Sequence, residues 1–296
     1  MIKISVPATS ANLGAGFDSL GLAIGLYNTV SFEEFDGCDI SSGDGSFTPK
    51  DEANLIYRTA KQVYSRCGAS FKGLRMVQTN AIPMARGLGS SSACIVAGIM
   101  GANALLKSPL SREEMLDFAV ELEGHPDNVA PALLGGFVVC AVENNHAYAI
   151  KKDISDELQF AAFIPSFRLL TEKARAALPK EIPHKDAVYN VSRAALCAAA
   201  FCEGRYDLLQ VATGDVLHQP YRMPLIEGGE EVLSMCRELG ACGAFISGAG
   251  PTLLSIVRRD NAEFYAKASA RLKLSETGNS FTLRMFSADN EGAKYI

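Results

Sequence analysis

Short stretches of alternating hydrophobic and polar residues run through this 296-residue chain. Ile2, Ile4 and Val6 begin the first of them, and side chains that alternate in this way point to opposite faces of a half-buried β-strand. Two neighbouring stretches are joined by Asn144 and Asn145, which are turn-forming residues. The pattern predicts strands at residues 2–6, 27–34, 73–80, 136–143, 146–151, 160–164, 243–247, 252–257 and 281–287.

Other segments carry apolar residues at helical spacing. The first, residues 54–67, is amphipathic and stops at Gly68, a typical residue after a helix end. Ser111 and Glu114 form a capping-box pattern that opens a second helix. Residues 92–106 are apolar on nearly all sides, so this helix should be buried between other layers. Further helices are predicted at residues 187–202, 206–217, 230–239 and 261–272.

The order of these elements indicates an α+β chain, because strands and helices occur in runs and do not alternate strictly. The helix-rich part begins near Asp156, which divides the chain into residues 1–156 and residues 157–296. The chain is long enough to form two domains, and its 48% hydrophobic residues are enough to bury a large core. No internal repeat or low-complexity linker marks the division.

Composition and charge exclude several classes of function. The formal net charge is −5 and the basic residues are scattered, so no surface for nucleic-acid phosphates is expected. No apolar run reaches the about 20 residues that span a bilayer, and the N-terminus carries no signal-peptide pattern. The eight cysteines include no Cys-x-x-Cys pair, which favours reduced thiols. We therefore expect a cytoplasmic enzyme that binds neither nucleic acid nor membranes.

The run PMARGLGSSSA at residues 83–93 combines a glycine turn, three serines and the start of an apolar helix. Gly87 and Gly89 permit positive φ, and the free N–H groups at a helix N-terminus attract anionic oxygens. The run is therefore a candidate phosphate site, although an ordinary loop with a serine N-cap has the same composition. The chain lacks a Gly-Lys dipeptide and the third glycine of the dinucleotide fingerprint, which excludes the Walker and Rossmann motifs.

This run resembles the second signature of the GHMP kinases, which include galactokinase, homoserine kinase and mevalonate kinase. Residues 6–21, VPATSANLGAGFDSLG, resemble the first signature, and residues 246–252, ISGAGPT, resemble the third. The segment EGHPDNVAP at 123–131 is similar to the homoserine kinase subgroup. Two further segments match that subgroup, at residues 171–179 and 219–222. The resemblance covers about residues 2 to 290.

This resemblance implies a two-domain architecture and an activity. The N-terminal ATP-binding domain would be of the ribosomal S5 domain 2-like type and the C-terminal domain ferredoxin-like, with the last strand a candidate to return to the first domain. The implied reaction is the Mg²⁺- and ATP-dependent phosphorylation of L-homoserine to O-phospho-L-homoserine, in threonine biosynthesis. A homodimer is the base-rate expectation for such an enzyme.

The resemblance also implies which residues bind the nucleotide and its metal. Ser91 and Glu123 are the expected Mg²⁺ ligands, since this ion usually takes one or two protein oxygens and fills its octahedron with phosphate and water. Thr171 joins them as a candidate catalytic residue. The expected nucleotide contacts are Asn54, Pro83, Met84, Ala85, Arg86, Gly87, Leu88, Gly89, Ser90, Ser91, Ser92 and Ala93.

An amino-acid substrate requires groups of both charges. Asp18 is the candidate for its ammonium group, and Arg175 and Arg222 are candidates for its carboxylate, because guanidinium groups bind carboxylates with two parallel hydrogen bonds. Asn12 would orient the remaining polar end. The resemblance adds His125 as a substrate-binding residue.

No residue pattern indicates a general base. The segment at 163–171 contains no acid, and the hydroxyl of Thr171 cannot act as a base near neutral pH. A loose transition state does not require early deprotonation, so we expect direct in-line attack by the substrate hydroxyl. Asp127 is the alternative, as a base. Two other functions stay open at this point: a mevalonate-type alcohol kinase, and a regulatory protein that binds nucleotide without turnover.

Overall fold

The computed structural model describes residues 1–275 and 280–296, whose strands form two sheets. The strands of the larger sheet are β1 (Ile2–Ala11), β2 (Leu20–Glu34), β3 (Gly37–Ser42), β4 (Gly73–Asn80), β5 (Phe137–Glu143), β6 (His146–Lys152) and β11 (Lys294–Tyr295). Their order is β11-β1-β2-β4-β3, and β5 pairs with both β2 and β6. The pairing of β3 with β4 is parallel, and the other pairings in this sheet are antiparallel.

The smaller sheet lies in the second half of the chain. Its strands are β7 (Leu158–Pro165), β8 (Gly243–Ile246), β9 (Leu253–Arg258) and β10 (Phe281–Phe286). They have the order β10-β7-β9-β8, and all of their pairings are antiparallel. Helices connect β7 to β8 and β9 to β10, which gives the β-α-β-β-α-β connectivity of ferredoxin-like folds.

Helices pack against both sheets, and their ends follow from local sequence. The helices are α1 (Leu55–Arg66), α2 (Ser90–Leu105), α3 (Arg112–Glu123), α4 (Pro126–Leu134), α5 (Thr171–Ala176), α6 (His184–Glu203), α7 (Leu209–Ala212), α8 (Gln219–Arg222), α9 (Gly229–Glu238) and α10 (Phe264–Leu274). The side-chain oxygen of Asn54 accepts hydrogen bonds from the N–H groups of Ile56 and Tyr57 at the start of α1. The predicted capping box of Ser111 and Glu114 opens α3.

One hydrophobic core extends from the larger sheet into the second half of the chain. Phe137 on β5 stacks on Phe201 of α6, with ring centroids 4.3 Å apart. The predicted apolar helix, α2, is buried in this core as expected, and it packs against β1 and α1. A second core lies under the smaller sheet, around Phe163 and Ile246.

The α+β class expected from the sequence is confirmed. The predicted helix at 206–217 is wrong in its second half: a 3-10 turn and α7 end at Ala212. The cause is Asp215, whose carboxylate accepts hydrogen bonds from the N–H groups of Leu217, His218 and Gln219 and so turns the chain.

Two strands escaped prediction, β3 and the two-residue β11. The predicted last strand pairs with β7 in the smaller sheet, and it is β11 that returns to β1. The segment between β6 and β7 contains the predicted domain boundary at Asp156, which stays a prediction. No helix in the described part of the chain is long and apolar enough to cross a membrane.

Replacement of Gly87 by Ala should destabilise the protein more than replacement of Gly68 by Ala. Both glycines have left-handed φ angles, 75° and 66°. A Cβ on Gly87 would lie 2.3 Å from the backbone oxygen of Ser247, whereas one on Gly68 meets nothing within 4 Å. We expect Gly68→Ala to cost about 1 kcal/mol of unfolding free energy and Gly87→Ala roughly 2 kcal/mol more. Equal losses in urea unfolding would contradict this packing.

Candidate active site

A cavity of about 410 Å³ opens where the first half of the chain meets the second. Its lining brings together most of the residues that the sequence predicts for the site. Those residues come from five of the six motif segments, although the segments are far apart in sequence. They are Asn12, Asp18, Ala85, Arg86, Gly87, Gly89, Ser90, Ser91, Ser92, Glu123, His125, Asp127, Thr171, Arg175 and Arg222.

The other predicted nucleotide contacts do not line this cavity. Leu88 and Ala93 are core residues, each 1% exposed. Asn54 is also buried, and its carboxamide is engaged within the protein: it caps α1, accepts a hydrogen bond from Gln78 and donates one to the Pro49 carbonyl. Pro83 and Met84 precede the turn. Contact between these five residues and nucleotide stays a prediction.

The turn before α2 exposes a helix N-terminus to the cavity. Ala85, Gly87 and Gly89 all have left-handed φ angles, and Gly89 occupies the N-cap position without a side chain to cap the helix. The N-terminal N–H groups of α2 therefore have no side-chain cap, which is the arrangement that binds phosphate.

Glu123, the last residue of α3, faces serines in the first turn of α2. The hydroxyl of Ser91 donates to Glu123 Oε2 at 3.1 Å, and the hydroxyl of Ser92 donates to Oε1 at 2.9 Å. These oxygens are the ligand type that Mg²⁺ prefers. The pair predicted from the sequence, Ser91 and Glu123, is thus brought together at the N-terminus of α2.

Asp18 and Arg175 form an ion pair across 157 positions of the sequence. Arg175 donates two hydrogen bonds to the carboxylate, at 2.6 and 3.1 Å. The hydrogen bond from Arg175 to Asp18 raises the pKa of the guanidinium. These two groups neutralise each other, although the sequence assigned them to opposite ends of a zwitterion.

Arg222 is in a different state, because it is 1% exposed and has no carboxylate within 4 Å among the described residues. Its Nη1 donates to the Gly248 carbonyl at 3.1 Å. Burial, followed by repulsion from Arg175, lowers its pKa to about 10. A buried cation without a direct counter-ion, on the wall of a cavity, is suited to an anionic ligand.

Asn12 connects the first and third motif segments. Its side chain donates to the Gly248 carbonyl at 2.9 Å and accepts from the N–H of Asp18 at 3.0 Å. These two bonds fix the backbone around Asp18, so the carboxamide supports the acid that the sequence assigns to the ammonium group.

His125 and Asp127 form a close pair, with Nδ1 2.6 Å from Oδ1. Burial raises the pKa of Asp127. Burial alone would lower the pKa of His125, but the hydrogen bond and charge of Asp127, with the charges of Glu123 and Asp18, outweigh it and raise this pKa. Ligand atoms of Asp18, His125 and Asp127 lie within 4.8 Å of one another, close enough to share a cation.

Thr171 and Arg175 lie together on α5, as their spacing suggested.

Several residues of the cavity were not predicted. Arg58, Asn128 and Gly248 also line the cavity. Gly248 belongs to the third signature and could have been predicted from it, whereas Arg58 on α1 carries no sequence signal that distinguishes it from a surface arginine.

Two protein-family models match this chain. Residues 54–136 match the GHMP kinases N terminal domain, and residues 197–274 match the GHMP kinases C terminal. Together they cover more than half of the chain.

Curated relatives match over almost the full length. A homoserine kinase of Clostridium beijerinckii is 47% identical over 298 residues, which cover 100% of this chain and 99% of the relative. A homoserine kinase of Caldicellulosiruptor saccharolyticus is 48% identical over 295 residues, which cover 99% of this chain and 96% of the relative.

Two solved structures also match this chain over almost its full length. The crystal structure of homoserine kinase from Cytophaga hutchinsonii matches with a TM-score of 0.86 and 28% identity, covering 100% of this chain and 97% of that one. A mevalonate kinase from L. major matches with a TM-score of 0.74 and 15% identity, covering 98% and 96% of the two chains, and shows a shared fold alone.

Replacement of Asp127 by Asn should lower the pKa of His125, because the hydrogen bond and negative charge of Asp127 are what overcome the effect of burial. Nitrogen–proton correlation spectra of the imidazole rings between about pH 5 and 8 measure this pKa. The chain has four histidines, so the other three serve as internal controls. An unchanged His125 pKa would contradict the coupling of this pair.

Proposed function

The chain belongs to the homoserine kinases of the GHMP kinase family, and we propose that its cavity transfers the γ-phosphoryl group of ATP to the hydroxyl of L-homoserine. The products are ADP and O-phospho-L-homoserine, an intermediate of threonine biosynthesis. One observation carries the proposal: a helix N-terminus without a side-chain cap and the buried Arg222 face the same cavity. The first suits a nucleotide phosphate and the second a carboxylate.

The phosphates of ATP would bind at the turn before α2. Gly87, Gly89 and Ser90 line the cavity there, and the backbone N–H groups of the first helical turn can donate to phosphate oxygens. The exposed Arg58 also lines the cavity and adds positive charge.

Ser91 and Glu123 would hold Mg²⁺. The fit rests on their chemistry and position, since a hydroxyl and a carboxylate oxygen lie 3.1 Å apart beside the phosphate site. When bound, Mg²⁺ neutralises charge on the β- and γ-phosphates. The two protein oxygens leave the remaining coordination positions for phosphate and water.

L-Homoserine would bind with its carboxylate on Arg222 and its ammonium group on Asp18. Arg175 would then be shared, because its ion pair with Asp18 must open or extend to admit the zwitterion. Mevalonate has a carboxylate but no ammonium group, so it would leave Asp18 without a cationic ligand. This asymmetry favours an amino acid over other alcohols of the family.

The proposed chemistry is direct in-line displacement. The homoserine hydroxyl oxygen attacks the γ-phosphorus, the bond from that phosphorus to the β–γ bridging oxygen breaks, and the hydroxyl proton passes to phosphate or solvent. Asp127 is buried and hydrogen-bonded to His125, and the only polar group of the Thr171 side chain is a hydroxyl, which is not a base near neutral pH. Positioning and neutralisation of charge therefore supply the rate enhancement without a dedicated base.

The cellular setting is part of the proposal. All eight cysteines are free thiols, which is typical of a reducing compartment and supports a cytoplasmic enzyme. A homodimer rests on base rates for enzymes of this size.

The direct test is Mg²⁺-dependent ADP release from ATP with L-homoserine, mevalonate, galactose and shikimate, with the product identified as a phosphate ester. We expect selective turnover of L-homoserine, because Asp18 and Arg222 together complement a zwitterion. Turnover of mevalonate in its place would contradict this substrate. A thermal shift with ATP but no ADP release with any alcohol would indicate a nucleotide-binding protein without activity.

Replacement of Glu123 by Gln should reduce kcat at least about 100-fold, because the amide keeps the shape of the carboxylate and removes its charge. Glu121→Gln is the matched control. Glu121 lies two positions before Glu123 on the same helix, is exposed, and forms an ion pair with Arg66 at 2.7 Å. Its kcat should stay within about twofold of the wild type. Equal effects of the two substitutions would exclude a specific role for Glu123.

A further inference from the structure

The imidazole of His218 lies behind the cavity wall and is completely buried. It immediately precedes α8, the helix that carries Arg222. Its Nε2 is 2.8 Å from the carbonyl oxygen of Gly14, in the glycine turn before Asp18. Its Nδ1 is 3.2 Å from Nη1 of Arg222. The ring therefore links the segment of the candidate ammonium site to the arginine of the candidate carboxylate site.

These two partners permit only one form of the ring. A carbonyl oxygen can only accept, so Nε2 must carry a proton and donate to Gly14. A guanidinium can only donate, so Nδ1 must present its lone pair to Arg222. Both conditions are met by the neutral imidazole with the proton on Nε2, and by no other form. Burial lowers the pKa of His218 and outweighs the opposing charge of Asp215, whose Oδ2 lies 3.6 Å from Nε2, so the ring is neutral near pH 7.

The backbone at His218 is held by another group. The Oδ2 atom of Asp215 accepts from the N–H of His218 at 3.0 Å and from the N–H of Gln219 at 2.6 Å. The same carboxylate accepts from the Asn190 side chain at 2.6 Å. These bonds fix the turn into α8 without the imidazole. The contacts of the ring are thus available for orienting the side chain of Arg222.

Arg222 is oriented on several sides. Its Nη1 donates to the Gly248 carbonyl and to Nδ1 of His218, and its Nε donates to the Ala174 carbonyl at 3.4 Å. The ring of Phe17 lies 5.2 Å from the guanidinium carbon and 5.3 Å from the His218 ring. Within the described residues, Nη2 has no hydrogen-bond partner. The fixed contacts leave this nitrogen as the donor for a ligand in the cavity.

We propose that His218 is a positioning residue for recognition of the substrate carboxylate, acting through a single neutral tautomer that joins Arg222 to the Gly14 carbonyl. The proposal rests on the proposed function, in which Arg222 binds the carboxylate of L-homoserine. His218 does not touch the substrate. Its effect on the reaction should pass through Arg222 and should therefore depend on the presence of a carboxylate.

The test compares two alcohols in two variants. His218→Leu removes both hydrogen bonds, and His218→Gln keeps an acceptor and a donor. L-Homoserine is compared with 3-aminopropan-1-ol, which has the ammonium and hydroxyl groups but no carboxylate. We expect His218→Leu to raise the KM for L-homoserine about 10- to 100-fold, with little change in kcat or in the KM for ATP. His218→Gln should recover most of this loss.

The carboxylate-free alcohol distinguishes a positioning role, which acts through Arg222, from a merely structural role, which would affect both alcohols. Its kcat/KM, or its Ki against L-homoserine if turnover is slow, should be the same in His218→Leu and the wild type. An equal loss for both alcohols, a loss in kcat alone, or no loss at all would overturn the proposal. His184→Leu, at the exposed start of α6, is the control for loss of an imidazole.

A measurement on the wild type keeps the proposal testable if the leucine variant does not fold. Nitrogen chemical shifts of the His218 ring near neutral pH should show a protonated Nε2 and a lone pair on Nδ1. The opposite tautomer, or an imidazolium, would overturn the assignment. Failure of the wild type to phosphorylate L-homoserine would instead overturn the proposed function, so the two failures are distinguishable.

Discussion

The cavity depends on a hydrogen-bonded junction between the three motif segments. The N–H of Gly248 donates to the Ala11 carbonyl at 3.1 Å, and the N–H of Thr252 donates to the Arg86 carbonyl at 3.2 Å. The hydroxyl of Ser247 lies 2.5 Å from the Gly87 carbonyl. These bonds join both halves of the chain. They therefore hold the turn before α2, the segment of Asp18 and the part of the cavity wall that carries Arg222 in fixed positions relative to one another. The glycines serve this close packing as much as they serve the approach of a ligand.

The charges around the cavity are in three different states, and this difference explains how it could take two substrates. Asp18 and Arg175 neutralise each other, Glu123 is bound by serine hydroxyls, and Arg222 is buried without a carboxylate partner among the described residues. The proposed phosphate site uses mainly backbone N–H groups and the helix dipole, which carry no titratable charge. In the proposed function, nucleotide and amino acid therefore bind by different physical means in adjoining parts of one cavity.

Local chemistry made much of this molecule predictable. The strand at 73–80 and the capping box at Ser111 follow from short-range pattern and are found where they were expected. The motif segments also indicated most of the residues that line the cavity. The end of the helix at Ala212 was missed although its cause, the turn at Asp215, is local. The linkage of His218 to Gly14 was not predictable, because it joins residues 204 positions apart in the sequence. The pairing of Asp18 with Arg175 has the same origin: single residues were assigned to charges, but their distance in the folded chain has no signature in the sequence.

The central claim is that one cavity binds ATP at the start of α2 and L-homoserine against Arg222. A crystal structure with Mg²⁺, a non-hydrolysable ATP analogue and L-homoserine tests it most directly. We predict that the γ-phosphate lies at the N-terminus of α2, the amino-acid carboxylate on Arg222, the ammonium group on Asp18, and the hydroxyl in line with the γ-phosphorus. L-Homoserine bound away from Arg222, or with its hydroxyl turned away from the phosphate, would contradict the account.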